Sequence, residues 1–266
     1  LANQGAVINL STGVVSNDGR GGRDQINVTD GPGNMEIRGT YFNDVITGSA
    51  RNEQFVLMAG NDTLNAGAGS DTLRYDQSNV TGGVKVDLAA GTATGTFAGQ
   101  AFLHRLTGVE VVSGSSGNDV LRGGMNNNSL YGLFGNEGND SLYGGAGTDF
   151  LAGGSGNDYL NPGDNTNYDE INPHTGNDTV DLRGMVTGYA EVHHFNLVDA
   201  GPQRITVNGQ ANTASINKGA NGLTTIVDGQ GAMQAGGLGI LGSNRNDTVT
   251  ATVAPGGVLS LAGGRG

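Results

Sequence analysis

Residues 144–161 are one nine-residue phrase written twice, Gly144-Gly145-Ala146-Gly147-Thr148-Asp149-Phe150-Leu151-Ala152 followed without a gap by Gly153-Gly154-Ser155-Gly156-Asn157-Asp158-Tyr159-Leu160-Asn161. Glycine fills its first, second and fourth positions, Asp the sixth, and an apolar residue the eighth. The physical reading is a six-residue turn, whose glycines tolerate φ > 0, then a short strand whose one apolar side chain points inward. Two such units make one coil of a flattened solenoid. Consecutive turns then fall on opposite edges, and residues 18 apart stack on the same edge.

The phrase recurs in register. Over residues 39–74 it reads GTYFNDVIT, GSARNEQFV, LMAGNDTLN and AGAGSDTLR, with Asp44, Glu53, Asp62 and Asp71 sixth and Ile46, Phe55, Leu64 and Leu73 eighth. A second array, 114–181, opens with GSSGNDVLR and GGMNNNSLY, takes a three-residue insertion at 132–134, and resumes with GNEGNDSLY and the doubled phrase. Its sixth positions are Asp119, Asn128, Asp140, Asp149 and Asp158, and its eighth positions Leu121, Leu130, Leu142, Leu151 and Leu160. After Pro162-Gly163 the pattern continues through DNTNYDEIN and PHTGNDTVD, carrying Asp169 and Asp178. Poorer copies at 19–27, 30–38 and 242–250 put Asp24, Met35 and Asp247 sixth.

Carboxylates stacked one coil apart among Gly-rich turns are a donor set for calcium. The ion takes 6–8 oxygens, more than two carboxylates supply, and turn carbonyls such as those of Gly144 and Gly153 complete the shell. The uninterrupted pairs are Asp44 with Asp62, Glu53 with Asp71, and Asp140 with Asp158. Asp119 with Asp140 spans 21 residues, and Asp149 with Asp169 and Asp158 with Asp178 span 20, so an insertion either preserves or breaks these sites. Met35 offers no carboxylate opposite Glu53, and Asn128 only a neutral oxygen.

Composition agrees. Fifty glycines with 7 Phe, 7 Tyr and no Trp leave few large side chains for a core, so something besides hydrophobic burial must hold the chain. A net charge of -12 argues against nucleic acid or an anionic membrane as partner and for a cation. With no cysteine, neither disulfides nor thiolate metal sites are available. No run approaches the roughly 18 apolar residues of a membrane span.

On these motifs the chain resembles the RTX, or haemolysin-type, calcium-binding family. The resemblance implies an all-β fold, a parallel β-roll or β-solenoid, with several bound calcium ions and type I export to the extracellular space or cell surface. It also allows other copies of the chain and cell-surface glycans as partners, without membrane insertion. The organisation expected is a partial degenerate unit (1–38), the first array (39–74), a β-rich connecting segment (75–113), the second array (114–181), a β-rich segment (182–241) and a truncated third array (242–266). Residues 261–266 read as the opening of another nonapeptide, so the parent protein is expected to continue.

In 75–113, Val84, Val86 and Leu88 alternate with polar residues as in a half-buried strand, and VKVDLAAG repeats the N-terminal AVINLSTG. Residues 182–241 read either as a small β-sandwich or as an irregular continuation of the solenoid. No catalytic constellation emerges. His193-His194 lacks HExxH and a third ligand, no GxSxG elbow is present, and cysteine chemistry is impossible. The expectation is a non-catalytic, calcium-binding presentation module of a secreted adhesin or surface-layer protein. The alternative is an accessory module of a secreted enzyme whose catalytic domain lies outside these residues.

Overall fold

The computed structural model describes residues 2–22, 24–25, 35–124, 130–163 and 167–182, and beyond them the strand segments between 189 and 262 named below. Every regular element in them is a strand. The chain divides into two compact units, residues 1–120 and 121–266. In the first, β1 (Ala6–Asn9), β2 (Val14–Asp18) and β3 (Asp24–Gln25) precede β4 (Met35–Arg38), β5 (Val45–Ser49), β6 (Glu53–Val56), β7 (Thr63–Gly67) and β8 (Thr72–Arg74). Then come β9 (Lys85–Asp87), β10 (Thr92–Phe97), β11 (Gln100–Thr107) and β12 (Val111–Ser113), with β13 (Val120–Arg122) at the junction.

The arrays form the predicted roll. Successive nonapeptides alternate between two sheets: β5 and β7 pair in parallel in one, and β4, β6 and β8 in the other. Each strand gives its eighth-position residue to a stack running through the coil centres. Ile8, Ile46, Leu64 and Leu106 are in register in the first sheet, and Ile37, Phe55, Leu73 and Val112 in the second. Phe55 and Leu73 are fully buried. Fully burying such a side chain contributes about 1.5–3 kcal/mol, and with Val56, Leu57, Ala59 and Ala66 as the other buried apolar residues of 48–74 the core is thin.

The second unit repeats this plan with β14 (Leu130–Glu137), β15 (Ser141–Gly145), β16 (Thr148–Ser155), β17 (Tyr159–Gly163), β18 (Tyr168–Thr175), β19 (Asp178–Asp181) and β20 (Tyr189–Val192). It continues through β21 (Arg204–Asn208), β22 (Thr213–Asn217), β23 (Leu223–Val227), β24 (Leu238–Leu241), β25 (Thr248–Thr252) and β26 (Leu259–Ala262). One stack there aligns Leu133, Leu151, Ile171, Val192, Ile240 and Leu261. Both 20-residue coils keep register, since Leu151 faces Ile171 and Leu160 faces Val180.

One register differs from the sequence reading. The spacing puts Leu130 eighth, with the insertion at 132–134, but pairing sets Leu133 opposite Leu151 and Tyr131 opposite Asp149. The nine-residue frame is therefore 126–134, and the extra residues precede it. Two leucines three apart both satisfy the local pattern, and pairing across the sheet selects the fully buried Leu133. Asn128 thus loses the sixth position to Tyr131, and Asn128 itself lies outside the described residues.

The segments between arrays are three-stranded meanders inserted into one sheet. In the first unit the order β9-β10-β11-β7 shows that the last strand, β11, returns to pair in parallel with the preceding rung. The order β21-β22-β23-β19 repeats this in the second unit. The N-terminal β1-β2-β3 hairpins have the same antiparallel pattern, as the match of AVINLSTG to VKVDLAAG implies. Within 182–241 the described strands β20 to β24 pair into the two sheets of this unit.

Candidate calcium sites at the stacked turns

The sixth-position carboxylates do not face solvent. Asp44, Glu53, Asp62, Asp71, Asp119, Asp140, Asp149, Asp158, Asp169 and Asp178 are each at most 2% exposed. Each turn reaches back one coil. Asp62 Oδ1 accepts the backbone N–H of Asp44 at 2.8 Å, Asp71 Oδ1 that of Glu53 at 2.8 Å, and Asp158 Oδ1 that of Asp140 at 2.9 Å. The longer coils keep the contact, from Asp149 N–H to Asp169 Oδ1 at 2.9 Å and from Asp158 N–H to Asp178 Oδ1 at 3.0 Å. All five pairs expected on a shared edge within one unit are brought together.

Asparagine at the fifth position runs a second ladder in the opposite sense. Asn43 Oδ1 accepts the N–H of Asn61 at 2.7 Å, Asn139 Oδ1 that of Asn157 at 2.7 Å, and Asn157 Oδ1 that of Asn177 at 2.8 Å. The recurring Asn-Asp pair in the sequence carried this signal. Its Asn is a coil-to-coil tie.

One carboxylate oxygen per pair is spent on the ladder, and others are left over. Asp62 Oδ2, Asp71 Oδ2 and both oxygens of Asp149 are buried with no hydrogen-bond donor. Leaving such acceptors unmet costs about 1–3 kcal/mol each, more when charged. Burial pushes Asp62 up to about 7, with the Asp44 charge adding to it. Asp71 is pushed up to about 7 by burial and by the charges of Glu53 and Glu110. Asp149 is pushed up to about 8 by burial and by Asp169. A cation beside these carboxylates would offset both the burial and the repulsion.

The first-position glycines make the room. A Cβ on Gly39, Gly135, Gly144 or Gly153 would collide with Oδ2 of Asp44, Asp140, Asp149 or Asp158 in its own turn. Gly144 and Gly153 are thus placed beside the carboxylates of Asp149 and Asp158. Among the described residues no group of three or more His, Cys, Asp and Glu could hold a metal. Any ion here is therefore held by paired carboxylates and backbone oxygens, a hard all-oxygen set that fits calcium.

Not every turn is alike. Where the second position is Ser or Thr, the turn caps its own carboxylate. Thr40 donates its hydroxyl to Asp44 Oδ1 at 2.8 Å and its N–H to Oδ2 at 2.6 Å, and Ser115 does the same for Asp119 at 2.7 Å and 2.7 Å. The Ser49 hydroxyl donates to Glu53. At Gly67 and Gly145 the second position instead has a φ of 110° and 104°, and Asp71 and Asp149 keep unmet oxygens.

Two further sixth positions come from the meander. Arg105 N–H donates to the Asp62 carbonyl at 2.8 Å, which sets His104 in the stack above Asp62. Its Nε2 lies 3.2 Å from Asp62 Oδ2, its Nδ1 meets the Tyr75 hydroxyl at 3.0 Å, and it stacks on Phe102 at 4.2 Å. Burial pushes this imidazole down to about 3, so it is neutral. On the other edge Glu110, which the sequence reading did not single out, follows Asp71.

Met35 does pair with Glu53, so no carboxylate precedes Glu53 on its edge. The Asp24 side chain and Asp247 lie outside the described residues, as do His193 and His194. Among the described residues no helix is long and apolar enough to cross a membrane.

The family described as the RTX calcium-binding nonapeptide repeat (4 copies) matches residues 38–73, 106–136 and 133–160. No curated protein matches the chain. The matched segments contain eight of the ten buried sixth-position carboxylates with their turns and strands, and Asp169 and Asp178 lie beyond residue 160. Residues 38–73 and 106–160 of this chain are RTX calcium-binding nonapeptide repeats.

Proposed function

We propose that this chain is a calcium-driven structural and presentation module, without catalysis of its own, within a larger secreted or cell-surface bacterial protein of adhesin or surface-layer type. The observation that carries it is the set of buried carboxylate oxygens, on Asp62, Asp71 and Asp149, that no donor in the protein satisfies. With a net charge of -12 and a thin core, the metal-free chain repels itself and has little burial to oppose that. Calcium binding is then folding energy: each site at 100-fold excess of ion over its dissociation constant contributes about 2.7 kcal/mol.

Such a module stays unfolded where calcium is scarce and folds where it is plentiful, which suits type I export of an unfolded chain. Circular dichroism through a calcium titration tests this, with a cooperative gain of β-structure expected. An identical spectrum in chelator and in millimolar calcium overturns it. A catalytic motif in the flanking parent sequence would instead make this the accessory module of an enzyme.

A further inference from the structure

We propose that Asp71 and Glu110 form an additional calcium site, carried by the return from the meander and weaker than the sites inside the arrays. It rests on the calcium reading above and extends it to a residue outside any nonapeptide.

The backbone places Glu110 in the stack. Val111 pairs with Thr72 and Val112 with Leu73, the seventh and eighth positions of the preceding turn. Val111 N–H donates to the Asp71 carbonyl at 2.9 Å, as Thr63 does to Asp44 and Tyr159 to Asp140. Glu110 therefore stands sixth, six residues after His104 where the arrays would need nine.

Its side chain makes the array contact. Glu110 Oε2 accepts the N–H of Asp71 at 3.0 Å, as Asp158 does for Asp140. Asp71 is 0% exposed, and its Oδ2 meets no donor. Among the described residues no Lys, Arg or His pairs with either carboxylate. Two acidic groups in contact on one edge, Asp71 fully and Glu110 partly buried, with one Asp71 oxygen unmet, call for a positive ion.

The turn leading to Glu110 is abbreviated. Gly108, at a φ of 70°, packs where a Cβ would meet the Gly67 carbonyl at 2.8 Å. Two residues then lead from Gly108 to Glu110, where four lead from Gly67 to Asp71. Fewer turn carbonyls face the ion, and water completes its shell. Fewer protein oxygens mean lower affinity. On the opposite edge the same step holds His104, which supplies no carboxylate. The meander thus carries the ion row forward on one edge only.

Native mass spectrometry and calorimetry of the whole chain count calcium ions in wild type, Glu110→Gln and the exposed control Glu36→Gln. The expected result is one ion fewer for Glu110→Gln, the missing step being the weakest, with Glu36→Gln unchanged and the calcium-saturated β-spectrum kept. An unaltered count and isotherm for Glu110→Gln overturns the proposal. A wild type that binds no calcium overturns instead the function from which it starts. Should Glu110→Gln not fold, the Asp71 and Glu110 amide resonances of wild type decide: they shift in the last calcium step, and stillness there overturns the site.

Discussion

The backbone amide of Asp149 donates to Oδ1 of Asp169 at 2.9 Å although the two lie 20 residues apart, two more than in a regular coil. The insertion after Asp158 is absorbed before Tyr168, and the edge contact is intact. Asp149 nonetheless keeps both of its own oxygens unmet.

Asp149→Asn is therefore expected to act oppositely in two states. In chelator it removes a buried charge beside Asp169 and raises the melting temperature. In calcium it removes a ligand and lowers the calcium-induced gain, by about the 2.7 kcal/mol of one saturated site. Melting curves in both conditions check this, and parallel shifts would contradict it.

Acidity should replace part of the calcium. Asp62 and Asp71 at about 7 and Asp149 at about 8 stand above their ordinary 3.8. Between about pH 4 and 8 the metal-free fold thus holds protons that the unfolded chain has released. Its stability is present below the ordinary value and is lost as pH rises through the raised ones. Circular dichroism in chelator should show β-structure increasing as pH falls from 8 towards 5. The calcium midpoint should move to higher concentration over the same range, because protons compete for the same oxygens.

Leu151→Ala should cost about 2–5 kcal/mol in saturating calcium. Leu151 is fully buried between Leu133 and Ile171, and no neighbour can fill so narrow a core. Urea denaturation measures the loss. A change below about 0.5 kcal/mol would show that the stack is dispensable.

Ser115→Ala tests self-capping. The hydroxyl lies 2.7 Å from Asp119 Oδ1 and is buried, so its removal should cost about 1–3 kcal/mol in chelator. In calcium the loss should shrink, because the ion takes up the released oxygen. Equal losses in both conditions would mean that hydroxyl and ion do not substitute for one another.

Much of this was legible because a nine-residue period binds residue to place. The sixth-position pairs and the core positions Phe55, Leu73 and Leu160 follow from counting. What counting missed lies where pairing across the sheet decides. Leu133 displaced Leu130 because two leucines fit one frame locally. Glu110 was hidden because the meander shortens the turn before it. The hydroxyls of Thr40 and Ser115 looked like ordinary turn residues, and their capping depends on a backbone conformation that glycine abandons at Gly67 and Gly145. The meander order was beyond local reading, since β11 pairs with β7 across 32 intervening residues that hold other strands.

Each inserted meander has an odd number of strands, and the parity matters. Two reversals of direction cancel, so β9 runs the same way as β11 and β7. A two-stranded insert would leave the next rung antiparallel, and its acidic turn would emerge from the wrong end of the strand. Lengthening of such a roll is therefore restricted to inserts of odd strand number, whatever residues they carry.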